Sequence, residues 1–457
     1  MRSPVISQIV ENSMCIGCGM CGAMCPDHVL KMSWNLRGEY NPVEEKDCTK
    51  DCGICLKVCP FFDSNETEDD IVERLFGNVD KVFRNPLTGF YLGSYVGFSD
   101  EHRATSASGG ITTWLLENLL TEEVVDRVIC VSPTEEPDKL FNFQVFDTVE
   151  GLRSGAGSAY YPVEMSEVIR IIIAEPGRYA ITGVPCFIKA IRLAQRTNAK
   201  LRERIVITVG LVCGQMKSKH FTDYIASIAG VEGEVTRVIY RGKDRDRPVS
   251  DYHYKFTTSS GEERRIYWSE GISQAWLNRW FTPRACNYCD DIFAECADVT
   301  CMDAWLPELS NDRSGTSLVI VRSPLVLDKI SKGRNAHLSP ISITKVIQSQ
   351  AAGVSTKRQD LAYRLYLDGR SRKKIPRKRA IPVKLRNPLI RSQLEIMNKM
   401  QVTSGDAWVA SPEKEAFQSA MHPYLRKQAV IILTARGLMW PLRVFRFRKR
   451  REEGRPQ

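Results

Sequence analysis

Histidine is scarce in this chain and nowhere grouped. His28, His102, His220, His253, His337 and His422 show no ligand-like spacing, so none is assigned to a metal or to proton transfer. No apolar run approaches the ~18 residues a membrane-spanning helix needs, and no apolar leader follows Met1. Acidic residues are nearly missing between Arg364 and Arg391, where eleven basic residues, among them Arg372, Lys373 and Lys374, face Asp368 alone. Aromatics that would stack bases are also sparse there, Tyr363 and Tyr366 being the nearest, so no specific nucleic-acid partner is expected. Internal repetition is confined to two cysteine runs. The fifteen cysteines are odd in number, which with the missing leader argues against a secreted disulfide scaffold. A reducing compartment, most simply the cytoplasm, follows.

What the chain does have is cysteine in a pattern. Cys15-Ile-Gly-Cys18-Gly-Met-Cys21-Gly-Ala-Met-Cys25-Pro26 is followed by Cys48-Thr-Lys-Asp-Cys52-Gly-Ile-Cys55-Leu-Lys-Val-Cys59-Pro60. Such a run wraps three thiolates round one 4Fe-4S cluster and sends the fourth, before the proline, to the neighbouring cluster. On that logic Cys15, Cys18, Cys21 and Cys59 hold one cluster, and Cys48, Cys52, Cys55 and Cys25 hold the other. The second run has one extra residue in its first gap, which a loop absorbs. Zinc ribbons need only four cysteines per site and lack the terminal Cys-Pro.

The rest of the 457 residues is long enough for a large core. Residues 63–92 form a connector whose acidic Asp63–Asp70 stretch is expected to be exposed. From Leu92 to about Ser323, β-rich runs (Val124–Val131, Arg178–Ile181, Ile205–Leu211) alternate with helical patterns (Ile111–Leu120, Val163–Ile173, Ile188–Gln195). The expected fold class is therefore α/β: a two-cluster ferredoxin-like module over 1–62, a mixed, largely parallel α/β domain over 92–323, and a basic C-terminal extension over 324–457. Of the seven remaining cysteines, Cys186 and Cys213 follow strands and Cys286-Asn-Tyr-Cys289 forms a C-x2-C loop. The ends of parallel strands gather at one edge, where these four would converge. By itself a C-x2-C also suits zinc or a redox disulfide.

Ser106-Ala-Ser-Gly-Gly110, Gly157-Ser-Ala-Tyr160, Thr182-Gly-Val-Pro-Cys186, Gly210-Leu-Val-Cys213, Arg284-Ala-Cys-Asn-Tyr-Cys289-Asp, Ala297-Asp298 and Asp303-Ala-Trp305 occur in that order. In this the chain resembles, over roughly residues 1–323, the family of coenzyme F420 hydrogenase/dehydrogenase beta subunits. The resemblance implies a third 4Fe-4S cluster on Cys186, Cys213, Cys286 and Cys289. It also implies FAD held by Ser108, Gly109, Gly110 and Thr112, with Gly157, Ser158 and Tyr160 nearby. A Ser-Gly-Gly leading into a helix gives the close backbone approach and positive dipole end that suit a pyrophosphate. Cys130, Cys296 and Cys301 read as packing residues. Tyr160, Arg241, Lys243 and Arg284 are candidates to touch the flavin or an anionic substrate, and Asp298 and Asp303 to order the C-x2-C loop or to act in proton delivery. No catalytic residue is assigned.

The expected activity is that of an iron–sulfur flavoprotein oxidoreductase, taking electrons from a ferredoxin-like donor or partner subunit to a small-molecule acceptor. The alternative is a non-catalytic electron-transfer subunit of a larger redox complex. Gln428–Phe447 mixes apolar residues with arginine, and two readings stay open: docking on the α/β domain, or an interfacial helix giving peripheral contact with the inner membrane surface.

Overall fold

The computed structural model describes residues 2–50, 52–244, 246–371 and 377–452; side chains beyond Ala435 are outside that description, as are Arg372, Lys373, Lys374 and Pro376. Among the described residues no helix is long and apolar enough to cross a membrane.

The N-terminal module is built on its two cysteine runs. Gly19 and Gly53 hold the same place in the two runs and both adopt left-handed backbone, φ +80 and +60, which glycine takes without a Cβ penalty. Each starts a short helix, Met20–Met24 and Ile54–Lys57, that carries the third cysteine of its run. Between them β1 (Leu30–Trp34) pairs antiparallel with β2 (Tyr40–Glu44). The connector starts a helix, Glu68–Phe76, through a capping box of Thr67 and Asp70. Against expectation its acidic start is not wholly exposed: Glu68 is buried and ion-paired with Lys189 at 3.1 Å. A small hairpin, β3 (Phe83–Asn85) and β4 (Gly89–Tyr91), follows.

The main sheet has eight strands. In chain order they are β5 (Gly93–Ser99), β6 (Arg127–Pro133), β7 (Phe141–Phe146), β8 (Tyr179–Gly183) and β9 (Ile205–Leu211), then, after a separate three-stranded sheet of β10 (Val235–Gly242), β11 (His253–Thr258) and β12 (Glu263–Tyr267), β13 (Val299–Asp303), β14 (Ser317–Val321) and β15 (Ala336–Pro340). Their spatial order is β15-β5-β14-β13-β9-β8-β6-β7. The central pairs β13/β9, β9/β8 and β8/β6 are parallel and the outer pairs antiparallel, so five of the eight strands run one way. The sheet continues past residue 323, with β15 on its edge.

Both faces of the sheet are buried, and side chains alternate between two cores with period two. Tyr179 and Ile181 of β8 face one core with the helix Pro185–Thr197, whereas Ala180 faces the other with Ile111, Trp114 and Leu115 of the helix Ile111–Thr121. Met20, Leu56, Val58 and Ile71 join the first core, so module and sheet share one apolar interior. Cys296 lies in that core; Cys130 and Cys301 lie in the other. Burial pushes the Cys301 thiol up to about 11 and that of Cys130 to about 12.

The basic extension is largely helical and folds back. Met400 and Trp408, from the helix Pro388–Ala410, and Phe417 and Met421, from the helix that starts at Lys414, are buried against Tyr224, Trp280 and Phe281. Gln428 donates to Asn278 Oδ1 at 2.7 Å. Past it Val430 and Leu433 are exposed.

Candidate redox site

The parallel core sets the site. β8 and β9 end level, Gly183 opposite Gly210, so the segments leaving them emerge side by side. One carries Cys186 into the first turn of the helix Pro185–Thr197, and the other carries Cys213. The short 3-10 turn Arg284–Tyr288 brings Cys286 to the same place and Cys289 follows it. Fully buried Arg322 ties this loop to the sheet by donating to Thr300 Oγ1 at 2.8 Å and to the carbonyls of Ala297, Phe293 and Thr88. The four sulfurs lie close enough to act on one another. Burial pushes the Cys186 thiol well up, and Cys289, Cys213 and Cys286 add to it. Burial also takes Cys213 up to about 12, with Lys357 opposing. Cys286 is raised by burial against the pull of Lys357, the Met216 N–H at 3.4 Å and Arg279. Four sulfurs converge in a largely buried site flanked by buried cations. That donor set suits a metal–sulfur cluster, whose positive ions let thiolates exist there.

In the N-terminal module Cys59 lies near Cys15, Cys18 and Cys21, and Cys55 also comes near Cys21 and Cys59. Burial raises the thiols of Cys15, Cys18, Cys21 and Cys59, that of Cys18 to about 12. Lys50 feels both Cys52 and Cys25, which places the crossing ligand of the first run beside the second. Cys55 is buried and meets the Ser3 hydroxyl at 3.8 Å. Cys25 accepts from the Val29 N–H at 3.3 Å, and Cys48 lies on the outer loop against Lys50 O. Cys18 also acts on Cys186, so the first run faces the dispersed quartet.

Beside the quartet opens a cavity of about 780 Å³. Ser108, Gly110, Thr112, Gly157, Ser158 and Tyr160 all line it, and its far wall reaches Cys213 and Lys217. Gly109 is not on the lining. It packs between β5 and β14, its N–H donating to Ser317 Oγ at 3.1 Å, and a Cβ there would meet Gly97 O at 2.6 Å. Its smallness serves the sheet rather than a ligand. The helix Ile111–Thr121 opens into the cavity with no side-chain cap, leaving its first N–H groups free for an anion. Arg241, 4% exposed at its side chain, pairs with Asp303 at 2.9 Å, donates to the Tyr160 hydroxyl at 3.3 Å, and lies over the Tyr252 ring. Among the described residues its Nε has no hydrogen-bond partner. A large cavity with an uncapped helix start and an orphaned buried guanidinium NH fits a flavin dinucleotide. A second cavity of about 310 Å³ adjoins it, sharing Ser108, Arg241, Asp303 and Trp305.

Three sequence candidates stand elsewhere. Lys243 donates to the carbonyls of Arg103, Ser108 and Ser314 at 2.6–2.8 Å, fixing the loop behind the cavity; burial and then Arg241 and Arg103 hold its pKa down to about 8. Arg284 reaches Asn12 O on the N-terminal module. Asp298 accepts from Arg192 and from the Thr208 N–H and hydroxyl, locking β9 to the start of β13. The sequence reading missed Lys217 and Arg279. Lys217 is buried, donates to Trp280 O at 2.8 Å and lies over Trp276; burial, then Arg279, lowers its pKa well below the usual lysine range. Arg279, in left-handed backbone at φ +58, stands between cavity and quartet. A basic residue following Cys213 and another before the C-x2-C were the available signals.

Residues 94–170 match the N-terminal part, and 177–342 the C-terminal part, of the beta subunit of coenzyme F420 hydrogenase/dehydrogenase. Residues 14–62 match a 4Fe-4S dicluster domain. Among curated proteins the chain is similar to one of the subunits of the F(420)H(2) dehydrogenase of Methanosarcina mazei, 25% identical over 226 residues, 48% of this chain and 57% of that protein. It is also similar to a coenzyme F420-dependent sulfite reductase of Methanocaldococcus jannaschii, 25% identical over 192 residues, 42% and 26% of the two chains. It thus spans between a quarter and three fifths of these relatives. A chain of the F420-reducing NiFe hydrogenase complex from Methanosarcina barkeri aligns with a TM-score of 0.48 at 20% identity, over 65% of this chain and 99% of that one.

Proposed function

From its membership of the family of coenzyme F420 hydrogenase/dehydrogenase beta subunits, to which the chain belongs, we propose that it is an iron–sulfur flavoprotein that relays electrons between a redox partner and a small acceptor. The observation that carries this reading is the continuity of one cavity, lined at one end by Ser108, Gly110 and Thr112 and at the other by Cys213. Cys15, Cys18, Cys21 and Cys59 would hold the inner cluster of the N-terminal module, and Cys25, Cys48, Cys52 and Cys55 the outer one. Cys186, Cys213, Cys286 and Cys289 would hold a third. FAD, held in the cavity, supplies exchange between single electrons and electron pairs.

The chain's own residues give this wire an order. Cys48 stands in an exposed stretch, residues 43–47, 49 and 50, so a ferredoxin-like donor or partner subunit would meet the outer cluster. Cys18 faces Cys186, so the inner cluster leads to the quartet. The uncapped start of the helix Ile111–Thr121 would take the pyrophosphate, and Arg241, held by Asp303 and Tyr160, would neutralise charge where the two cavities meet. The smaller cavity is where an acceptor would reach the flavin. A cytoplasmic location accords with this. Peripheral membrane contact would fall to the exposed apolar residues past Gln428, the stretch before it being docked.

Anaerobically purified full-length protein should carry about 12 iron and 12 acid-labile sulfide per chain, from three four-iron clusters, together with non-covalent FAD. About eight irons in fully reconstituted protein would remove the third cluster. Protein that takes up all its iron but never binds FAD would leave the electron-transfer-subunit reading, which gains support from a relative that is itself called a subunit.

A further inference from the structure

Residues 343–370 lie beyond the part of the chain that matches the family, yet they build one wall of the redox centre. The helices Ile343–Ser349 and Ala351–Ser355 lead into a single π turn, Thr356–Asp360, and then the helix Leu361–Arg370. Gln350, Ala352, Gly353 and Thr356 line the large cavity. Leu361 and Leu365 are buried in the same core as Cys286 and Tyr288, and the Tyr288 hydroxyl donates to Asp368. Arg358 pairs with Glu295 at 3.4 Å. The segment is therefore clamped onto the loop that carries Cys286 and Cys289.

Isolated π turns are rare and recur at functional positions. This one carries Lys357, which is 2% exposed and faces the sulfurs of Cys289, Cys213 and Cys286. Among the described residues no carboxylate pairs with it. A lysine this deeply buried keeps its charge only against negative charge; Lys217 has neutral partners, whereas the groups that face Lys357 are the sulfurs of the quartet.

We infer that Lys357 is a positioning residue that sets the reduction potential of the iron–sulfur site on Cys186, Cys213, Cys286 and Cys289 by placing a buried positive charge beside it. This rests on the quartet being such a site. Reduction adds one electron and no proton, so the site becomes more negative by one charge. A cation held in a largely buried surround stabilises the reduced form more than the oxidised one and raises the potential.

The test is an anaerobic redox titration with dithionite, followed by electron paramagnetic resonance, on full-length reconstituted protein. Wild type is compared with Lys357→Met, Lys357→Gln and Lys357→Arg. In the Met and Gln variants one cluster should shift to a more negative midpoint, the other two should stay in place, and iron content should not change. The Arg variant should stay close to wild type. Unchanged midpoints in fully loaded Met and Gln variants would overturn the inference. So would loss of about a third of the iron in both, because Lys357 would then be needed to assemble the site rather than to tune it. Wild-type iron, measured first, separates these results from failure of the underlying reading: a wild-type protein with only two clusters has no third site to tune.

Discussion

The two groups of cysteines are brought together by opposite routes. In the N-terminal module the ligands sit within two short runs, and the backbone between them does the shaping, with Gly19 and Gly53 in left-handed conformation at equivalent positions. In the α/β part four cysteines spread over 104 positions, from Cys186 to Cys289, are gathered by strand ends, a C-x2-C loop and a buried framework of Arg322, Arg379 and Lys357. A local site depends on its loop. A dispersed site depends on the whole fold, and is open to tuning by any segment that packs on it.

The largest expected effect separates the two outright. Cys186→Ser should remove about one third of the iron, one four-iron cluster of three, and leave the signals of the N-terminal pair unchanged. Iron analysis with electron paramagnetic resonance checks it. Loss of all three clusters would show that the sites are not independent, despite the nearness of Cys18 to Cys186.

Next is the framework. Arg379 donates to Glu295 at 2.8 and 3.0 Å, and its backbone N–H donates to Asp290 at 2.9 Å; both carboxylates are about 1% exposed. Arg379→Ala strands buried negative charge beside the C-x2-C loop, with Arg358 the longer remaining partner of Glu295. Removing one partner of a buried pair costs about 3–5 kcal/mol. The variant should lose its third cluster to a chelator first, at a temperature where the N-terminal pair still holds. Equal lability of all three would contradict a site held by tertiary contacts.

These differences also decide what the sequence could show. The two runs are legible because each packs its ligands into eleven or twelve residues with a fixed terminal Cys-Pro. Short, nearly continuous β-rich runs locate β8 and β9 because both faces of the sheet are buried. The quartet has no local signature beyond Cys286-x2-Cys289; the strand ends suggested that the four converge, and only the order of distant motifs implied a cluster there. Lys357 was invisible, since a lysine in a basic tail reads as solvated; only the π turn and the clamp of Leu361, Leu365 and Asp368 turn it inward. The docking of Phe417 and Met421 was hidden for the same reason, being apolar residues thinly spaced in a polar stretch. Gly109 was legible as a glycine that must stay small, but its neighbours are β5 and β14, a contact no local pattern reveals.

The smallest expected effect asks whether the N-terminal module is as self-contained as its sequence implies. Gly19 and Gly53 are matched by position and by backbone, so alanine at either incurs the same left-handed cost, about 1–2 kcal/mol. Their surroundings differ. Among the described residues a Cβ on Gly53 would have no heavy atom within 4 Å, whereas one on Gly19 would stand 2.2 Å from Glu164 Oε2 and 2.9 Å from the backbone nitrogen of Ser166. That is where the module meets the α/β part, with the Met165 N–H donating to Cys18 O at 3.1 Å. Gly19→Ala must push back the start of the helix Ser166–Ala174, adding an overpacking cost of about 1–3 kcal/mol that Gly53→Ala does not incur. Thermal unfolding of the two reconstituted variants should therefore place Gly19→Ala clearly below Gly53→Ala. Equal midpoints would mean that the contact yields freely and the inner cluster is as local as the outer one; a gap would show that tertiary structure already constrains the first run at Cys18, the cysteine that faces the quartet.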